Sequence, residues 1–449
     1  MKIKFEIDLT RTWGKFRGLA RRFRISHFLL LYFAAHMLQI AFPSDGSMIF
    51  DEAHYVPASL DTLMGIAANA EHPPLPKVIG AIGIGLFGNN WFGWRFPVVL
   101  MQVLALYLFY LIGKRLLGDP WAFGATAILA FDPVFFIHGG ALLIDMPSFL
   151  FSFLAIELYM RHNYGWSAAS MGLAFLSREM SMFYFGALAI YHMFTNRQAL
   201  KPAFKMGTRY VLIALLIFGS LLWLYDLAYR PPASTSVTNL VSQQVVVGSN
   251  GSPITTIYST SQSVSQQLIW NPIQHLLFIY NYHGPNGIVL NAPYEPYQYA
   301  WNWILPVQPF NVPTYFRVDV VVSSGTGTQD YTPILYLAQP NLSLWYGIWP
   351  AMVGLAYAIA KRKEISTAVF IASGIVLNFA PWVVLSFVVR RIGFNYYMIW
   401  TLPFIALGLG FTWRLLPPKY GKIALAVNVL LSLLFFLWFF PVKPMPTAT

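Results

Sequence analysis

The 449-residue chain is 57 % hydrophobic and only 10 % charged, with a formal net charge of +12 and no cysteine. A soluble domain carries about 25 % charged residues, so this composition excludes a soluble protein and defines a polytopic membrane protein. The lack of cysteine excludes a disulfide framework and a thiolate metal site. The basic residues fall mainly in short loops between apolar runs, which marks topology rather than a nucleic-acid footprint.

Because the bilayer offers no partner to a free backbone amide, each crossing requires a helix of about 20 residues or a strand of a closed barrel. Long apolar runs such as VLIALLIFGSLLWLY favour helices. Residues 1–25 form a basic segment, containing RTWGKFRGLARRFR, ahead of the first apolar run at 26–43. No small-residue cleavage site follows, so the sequence predicts a cytoplasmic segment and a retained first helix. Residues 44–94 form a first loop rich in acids. Six spans are expected within 95–230, at 95–113, 120–138, 142–160, 166–177, 180–195 and 208–229. A second large loop covers 231–342, and four spans follow within 343–449, at 343–360, 366–388, 395–413 and 422–440. That makes an all-α membrane protein with about eleven crossings. Val78 to Asn90, VIGAIGIGLFGNN, is short for a span and suits an interfacial or re-entrant segment.

Charge sets the orientation. If Val78 to Asn90 does not cross, Lys114/Arg115, Arg161, the Arg197 to Arg209 loop, Lys361 to Lys363 and Arg414/Lys419 gather on the cytoplasmic side with the basic segment. The first loop, Arg95, Asp145, Arg178 and the 231–342 loop then lie on the opposite face. That second loop is polar, nearly uncharged and rich in aromatic anchors, which suits an irregular or partly stranded cap.

FDEAHYVPAS, from Phe50 to Ser59, follows the first span. DEAH here is no helicase box, because no phosphate loop of the form G-x-x-x-x-G-K-[ST] precedes it. On a helix, His54 and Tyr55 share the face of Asp51, while Glu52 points about 100° away. A partly desolvated carboxylate at the bilayer edge has a raised proton affinity and can act as a general base. The alternative role for Asp51 is helix N-cap. EHPPLPK stiffens the backbone between His72 and Lys77. Lys77, Arg95 and Arg178 on one membrane face form a candidate site for a lipid phosphate, against a plain role as snorkelling charges. Asp145, in ALLIDMPSF, faces the same side, and Arg390/Arg391, ahead of GFNYY, suit headgroup contact. Asp132, before Pro133, reads as a structural cap.

Asp51/Glu52, HPPLPK, Arg95 and LLIDMPSFLF, followed by YAWNWILP, AQPNLSLWYGIWP and FNYYMIWTLPFIAL, together resemble the protein O-mannosyltransferases of the glycosyltransferase-C fold, in the prokaryotic form without the MIR sugar-binding repeat domain. The resemblance implies inverting transfer of mannose from a polyprenyl (dolichyl) phosphate to Ser or Thr hydroxyls of proteins, at the outer face of the plasma membrane. It implies Asp51 as base and Glu52 placing acceptor or sugar. Lys77, Arg95, Arg178 and Arg391 would hold the donor phosphate, with His54, Tyr55, His72 and Asp145 lining the substrate site. No cofactor, metal or nucleic acid is expected. Three departures stand out: Lys77 follows Pro76 where many members have a small residue, Arg178 stands where lysine is common, and the sugar-binding repeat domain of eukaryotic members is absent. Transfer of aminoarabinose to a lipid by a related family, and secondary transport, are the other readings.

Overall fold

The computed structural model describes residues 24–42, 47–229, 241–247, 253–259, 271–283, 299–305, 315–319, 334–337, 339–389, 393–440 and 442–444. The basic segment up to residue 23, Arg391 and most of the 231–342 loop lie outside the described residues. The chain opens with α1 (Ile25–Ile40). Two helices of the first loop follow, α2 (Glu52–Leu63) and α3 (Leu75–Phe87), and then the long α4 (Trp91–Leu117). α3 has 13 residues, about 20 Å at 1.5 Å per residue, against a hydrocarbon core of about 30 Å. Asn90 caps α4 by accepting from the Phe92 and Gly93 amides. A Cβ on Gly83 would stand 2.3 Å from the Gly93 carbonyl oxygen, so only glycine lets α3 fold this closely onto α4.

The span expected at 120–138 is broken into α5 (Trp121–Ala130) and α6 (Pro133–His138). Pro133 cannot continue the ladder of α5, and Asp132 takes up the exposed amides: its carboxylate accepts from Phe135 N at 2.9 Å and from Trp345 Nε1 at 2.9 Å. The capping role read from the sequence is thus observed. Then come α7 (Asp145–Met160), α8 (Tyr164–Ser177), α9 (Ser181–Thr195) and α10 (Leu200–Ala228). From the second loop, α11 (Pro272–His283) is described. After it stand α12 (Ile348–Ala360), α13 (Ile365–Val384), α14 (Leu402–Leu415) and α15 (Pro418–Trp438).

Among the described residues, five helical segments are long and apolar enough to cross a membrane: Trp91–Leu117, Leu200–Ala228, Leu342–Ala360, Ile365–Val388 and Pro418–Trp438. The protein is an integral membrane protein. Each of the eleven expected spans coincides with helix, but several are short or interrupted, so length alone does not fix eleven crossings. α10 leaves Leu212, Leu216, Trp223 and Leu227 exposed, a lipid-compatible surface that would be costly in water.

The second loop is partly stranded. β2 (Val241–Val247) and β3 (Pro253–Ser259) form an antiparallel hairpin. A four-stranded sheet joins β1 (Met48–Ile49), β4 (Tyr315–Asp319), β5 (Ile334–Leu337) and β6 (Val442–Pro444) in that order. Met48 pairs with Asp319 and Ile49 with Val318, so the strand that leads into Asp51 is held by the second loop and, through it, by the segment after α15.

Candidate active site

α2 buries Glu52, Tyr55, Val56, Ser59 and Thr62 along one stripe, the spacing of a helix packed on one face. A glutamate heading that stripe needs compensation, since a buried unpaired charge is very costly. Arg95, on α4, supplies it. Its Nε donates to Glu52 Oε1 at 2.9 Å and its Nη2 to Oε2 at 2.8 Å, and both side chains are 0 % exposed. Glu52 also accepts the amides of Ile49 at 2.7 Å and Leu142 at 2.9 Å. Arg95 further donates to the carbonyls of Ile40 and Ser47, each at 3.1 Å. One bidentate pair therefore binds the end of α1, the β1 segment, α2, α4 and the turn before α7.

Asp51, the adjacent residue, is treated differently. It occupies the N-cap position of α2 but makes no side-chain capping bond, so the capping role is not the one it plays. It is half-buried, and burial raises its carboxyl above the usual aspartate range, against the pull of His54, His72, Arg178 and His138. The backbone before it is strained: Phe50 sits at φ +51°, a left-handed conformation unusual for a bulky residue. The Phe50 ring packs edge-on against Tyr396, 5.4 Å between centroids.

Around Asp51 lies a polar cluster. Asp145, at the head of α7, bonds His138 Nδ1 at 2.9 Å and pairs with Arg178. The Arg178 guanidinium also lies over the Trp400 ring, 5.5 Å from its centroid, and its buried Nε makes no hydrogen bond among the described residues. Burial opposes its charge, but Asp145 and Glu179 together hold its proton more tightly than in free arginine. Tyr55 is buried, with its ring 6.1 Å from that of His72. His54 is exposed.

Three placements differ from expectation. Arg95 does not stand at an open phosphate site, because its guanidinium is sealed against Glu52 and backbone carbonyls. Glu52 does not face a substrate for the same reason. Lys77 is 1 % exposed; its ammonium donates to the His72 carbonyl at 2.8 Å and to that of Asn69. The proline-rich turn is wrapped around it, and burial lowers its pKa to about 8. Arg178 lies within electrostatic reach of Asp51. His138 and Tyr396, which join the Asp51 cluster, carry no sequence signal beyond being single polar groups in apolar runs. His283, brought to within 4.9 Å of the His72 ring by α11, comes from a loop with no motif at all.

The broken apolar helices, with loop elements gathered at one end, have the glycosyltransferase-C fold. The fold matches that of the S. cerevisiae protein O-mannosyltransferase Pmt1-Pmt2 complex bound to the sugar donor, with a TM-score of 0.64 at 11 % identity over 93 % of this chain and 89 % of that one. It also matches ArnT from Cupriavidus metallidurans bound to undecaprenyl phosphate, with a TM-score of 0.53 at 13 % identity over 89 % of this chain and 62 % of that one. Residues 71–223 match the family model for dolichyl-phosphate-mannose-protein mannosyltransferase. Among curated proteins, the polyprenol-phosphate-mannose–protein mannosyltransferase of Mycolicibacterium smegmatis is 33 % identical over 133 residues, which is 27 % of this chain and 26 % of that protein. That of Mycobacterium tuberculosis is 37 % identical over 109 residues, 22 % of this chain and 21 % of that protein. The matched stretches thus span about a quarter of the length of these relatives.

Proposed function

We propose that the protein moves mannose from a polyprenyl phosphate to Ser or Thr hydroxyls of proteins, with inversion, at the outer face of the cell membrane. The observation that carries this is the contrast at Asp51: a half-buried carboxylate, free of capping duty, raised in proton affinity and within reach of Arg178. A hydroxyl is a weak nucleophile until a base accepts its proton as it attacks. Asp51 accepts that proton, the oxygen bonds the anomeric carbon, and the bond from that carbon to the phosphate oxygen breaks on the opposite face. The phosphate leaves as an anion, and Arg178 stabilises the charge as it develops. Tyr55 and His72 line the sugar or acceptor side, while Asp145 and His138 orient Arg178. Lys77 and the Glu52–Arg95 pair act as positioning residues, because they shape the backbone beside Asp51 without reaching outward.

The sheet supports the orientation. β1 follows α1 and β6 follows α15, yet both belong to one sheet, so both lie at the same end of the bundle. An odd number of crossings from α1 through α15 satisfies this, which agrees with an α3 that does not cross. Positive loops then gather on the cytoplasmic side, with Asp51 opposite.

The test is direct. Purified protein is incubated with dolichyl phosphate mannose and a Ser/Thr-rich peptide, and the peptide is weighed. A gain of one hexose is expected. An unchanged peptide beside a sugar-modified lipid acceptor would move the protein to the lipid-modifying reaction.

A further inference from the structure

His72, Glu179 and His283 come from three separate parts of the chain: the proline-rich turn before α3, the turn between α8 and α9, and the C-terminal end of α11. One ligating atom from each lies within 4.8 Å of the other two. Two of the three side chains carry an unmet need. His72 Nδ1 and Glu179 Oε2 are shielded from solvent, and neither makes a hydrogen bond among the described residues. They stand 3.8 Å apart, beyond hydrogen-bond range. Two ligand atoms, each about 2.0–2.2 Å from one zinc ion, stand roughly 3.3–3.6 Å apart at the tetrahedral angle. A small torsional adjustment closes the difference.

His72 and Glu179 form a loose ion pair, and the surroundings also suit a metal ion. His283 donates from Nε2 to the Glu71 carbonyl at 2.9 Å, the kind of supporting bond that fixes the ring of a metal-bound histidine. Arg178 approaches the other oxygen of Glu179, Oε1, at 4.0 Å, so Oε2 is left for a further cation. Two imidazoles and a carboxylate suit zinc and its neighbours in the transition series; magnesium and calcium prefer all-oxygen sets.

We propose that His72, Glu179 and His283 form a three-ligand site for a divalent transition-metal ion, with its remaining position open to water, and that the ion staples α11 to the two turns beside Asp51. This staple holds part of the second loop over the Asp51 cluster. It is independent of which sugar or acceptor the protein uses.

The experiment reads metal directly. Full-length protein in detergent, with any affinity tag removed, is stripped with a chelator and titrated with Co2+ and then Zn2+. One equivalent of Co2+ is expected, with the visible absorption of a four-coordinate site, displaced by Zn2+. Zn2+ should raise the unfolding midpoint of the wild type. Glu179→Gln should weaken Co2+ binding at least tenfold. His283→Cys should keep the ion and add a thiolate-to-cobalt band, which nothing else in a cysteine-free chain can produce. This variant tests the ligand without depending on loss of fold. No stoichiometric ion in the wild type, equal affinity in Glu179→Gln, or a His283→Cys protein that binds Co2+ without the new band would each overturn the proposal.

Discussion

Asp51 and Glu52 are bonded neighbours with the same functional group, and the fold sends them to opposite fates. Glu52 is sealed with Arg95, while Asp51 is half-buried, bears no capping bond and lies within reach of Arg178. The same division separates the two arginines: Arg95 has its donors turned to Glu52 and carbonyls, whereas Arg178 pairs with Asp145 and keeps its Nε without a hydrogen bond among the described residues. A charge locked on several sides serves the architecture, and a charge held on one side keeps another for chemistry. Sequence position says nothing about which is which.

The sharpest way to break this comparison is to mutate both acids to their amides. Asp51→Asn should cost about 10²- to 10⁴-fold in transfer rate, the usual contribution of a general base, with little change in stability. Transfer at near wild-type rate would remove Asp51 from the chemistry. Glu52→Gln should behave in the opposite sense, losing about 3–5 kcal/mol of stability because Arg95 is left as a buried, half-paired charge. Thermal unfolding in detergent separates the two.

The arginines sharpen it further. Arg178→Gln should lower turnover by about 30- to 1,000-fold, equivalent to roughly 2–4 kcal/mol of transition-state stabilisation, with a modest effect on unfolding. Arg95→Gln should show mainly the stability loss of Glu52→Gln, and the double variant Glu52→Gln/Arg95→Gln should cost less than the sum of the two. Equal and additive effects at the two sites would dissolve the distinction.

A smaller effect concerns pH. Burial raises Asp51 above the ordinary value of 3.8, and the working form is the ionised one. The rate should therefore rise with pH through that raised value and level off above it, so the acid limb sits higher than for a solvated aspartate. Asp51→Asn should lack this limb.

The smallest signal is topological. Single cysteines introduced into the cysteine-free chain, at position 114 and within the 231–342 loop, should react oppositely with an impermeant maleimide on intact cells. The loop is expected to label and position 114 is not.

Much of this was legible in the sequence, and the limits have physical causes. Hydropathy located the apolar helical segments because burial in lipid is written locally, residue by residue, but it read residues 200–209, the first turns of α10, as loop. The Asp132 cap was legible because Pro133 dictates a break beside it. Helical geometry alone grouped His54 with Tyr55, yet Tyr55 lies on the buried stripe that Glu52 heads and His54 is exposed. The pairing of Glu52 with Arg95 was not legible, since the two are 43 residues apart and an arginine at a span end looks the same whether it faces a phosphate or a buried acid. Lys77 misled for the same reason: its proline-rich setting signals rigidity, not the carbonyls that surround its ammonium. His138, Tyr396 and His283 needed the tertiary fold to meet anything. Arg391 and the basic segment lie outside the described residues.

The sheet that steadies β1 also sets a schedule for synthesis. β1 emerges with the first loop, but its partner β4 belongs to the second loop, and β5 in turn pairs with β6 after the last helix. As the chain is threaded into the membrane, the segment that aims Asp51 waits unpaired while most of the bundle is made. The sheet is complete only when its last strand has been made, so an incomplete chain holds the acid pair without the full sheet beside it.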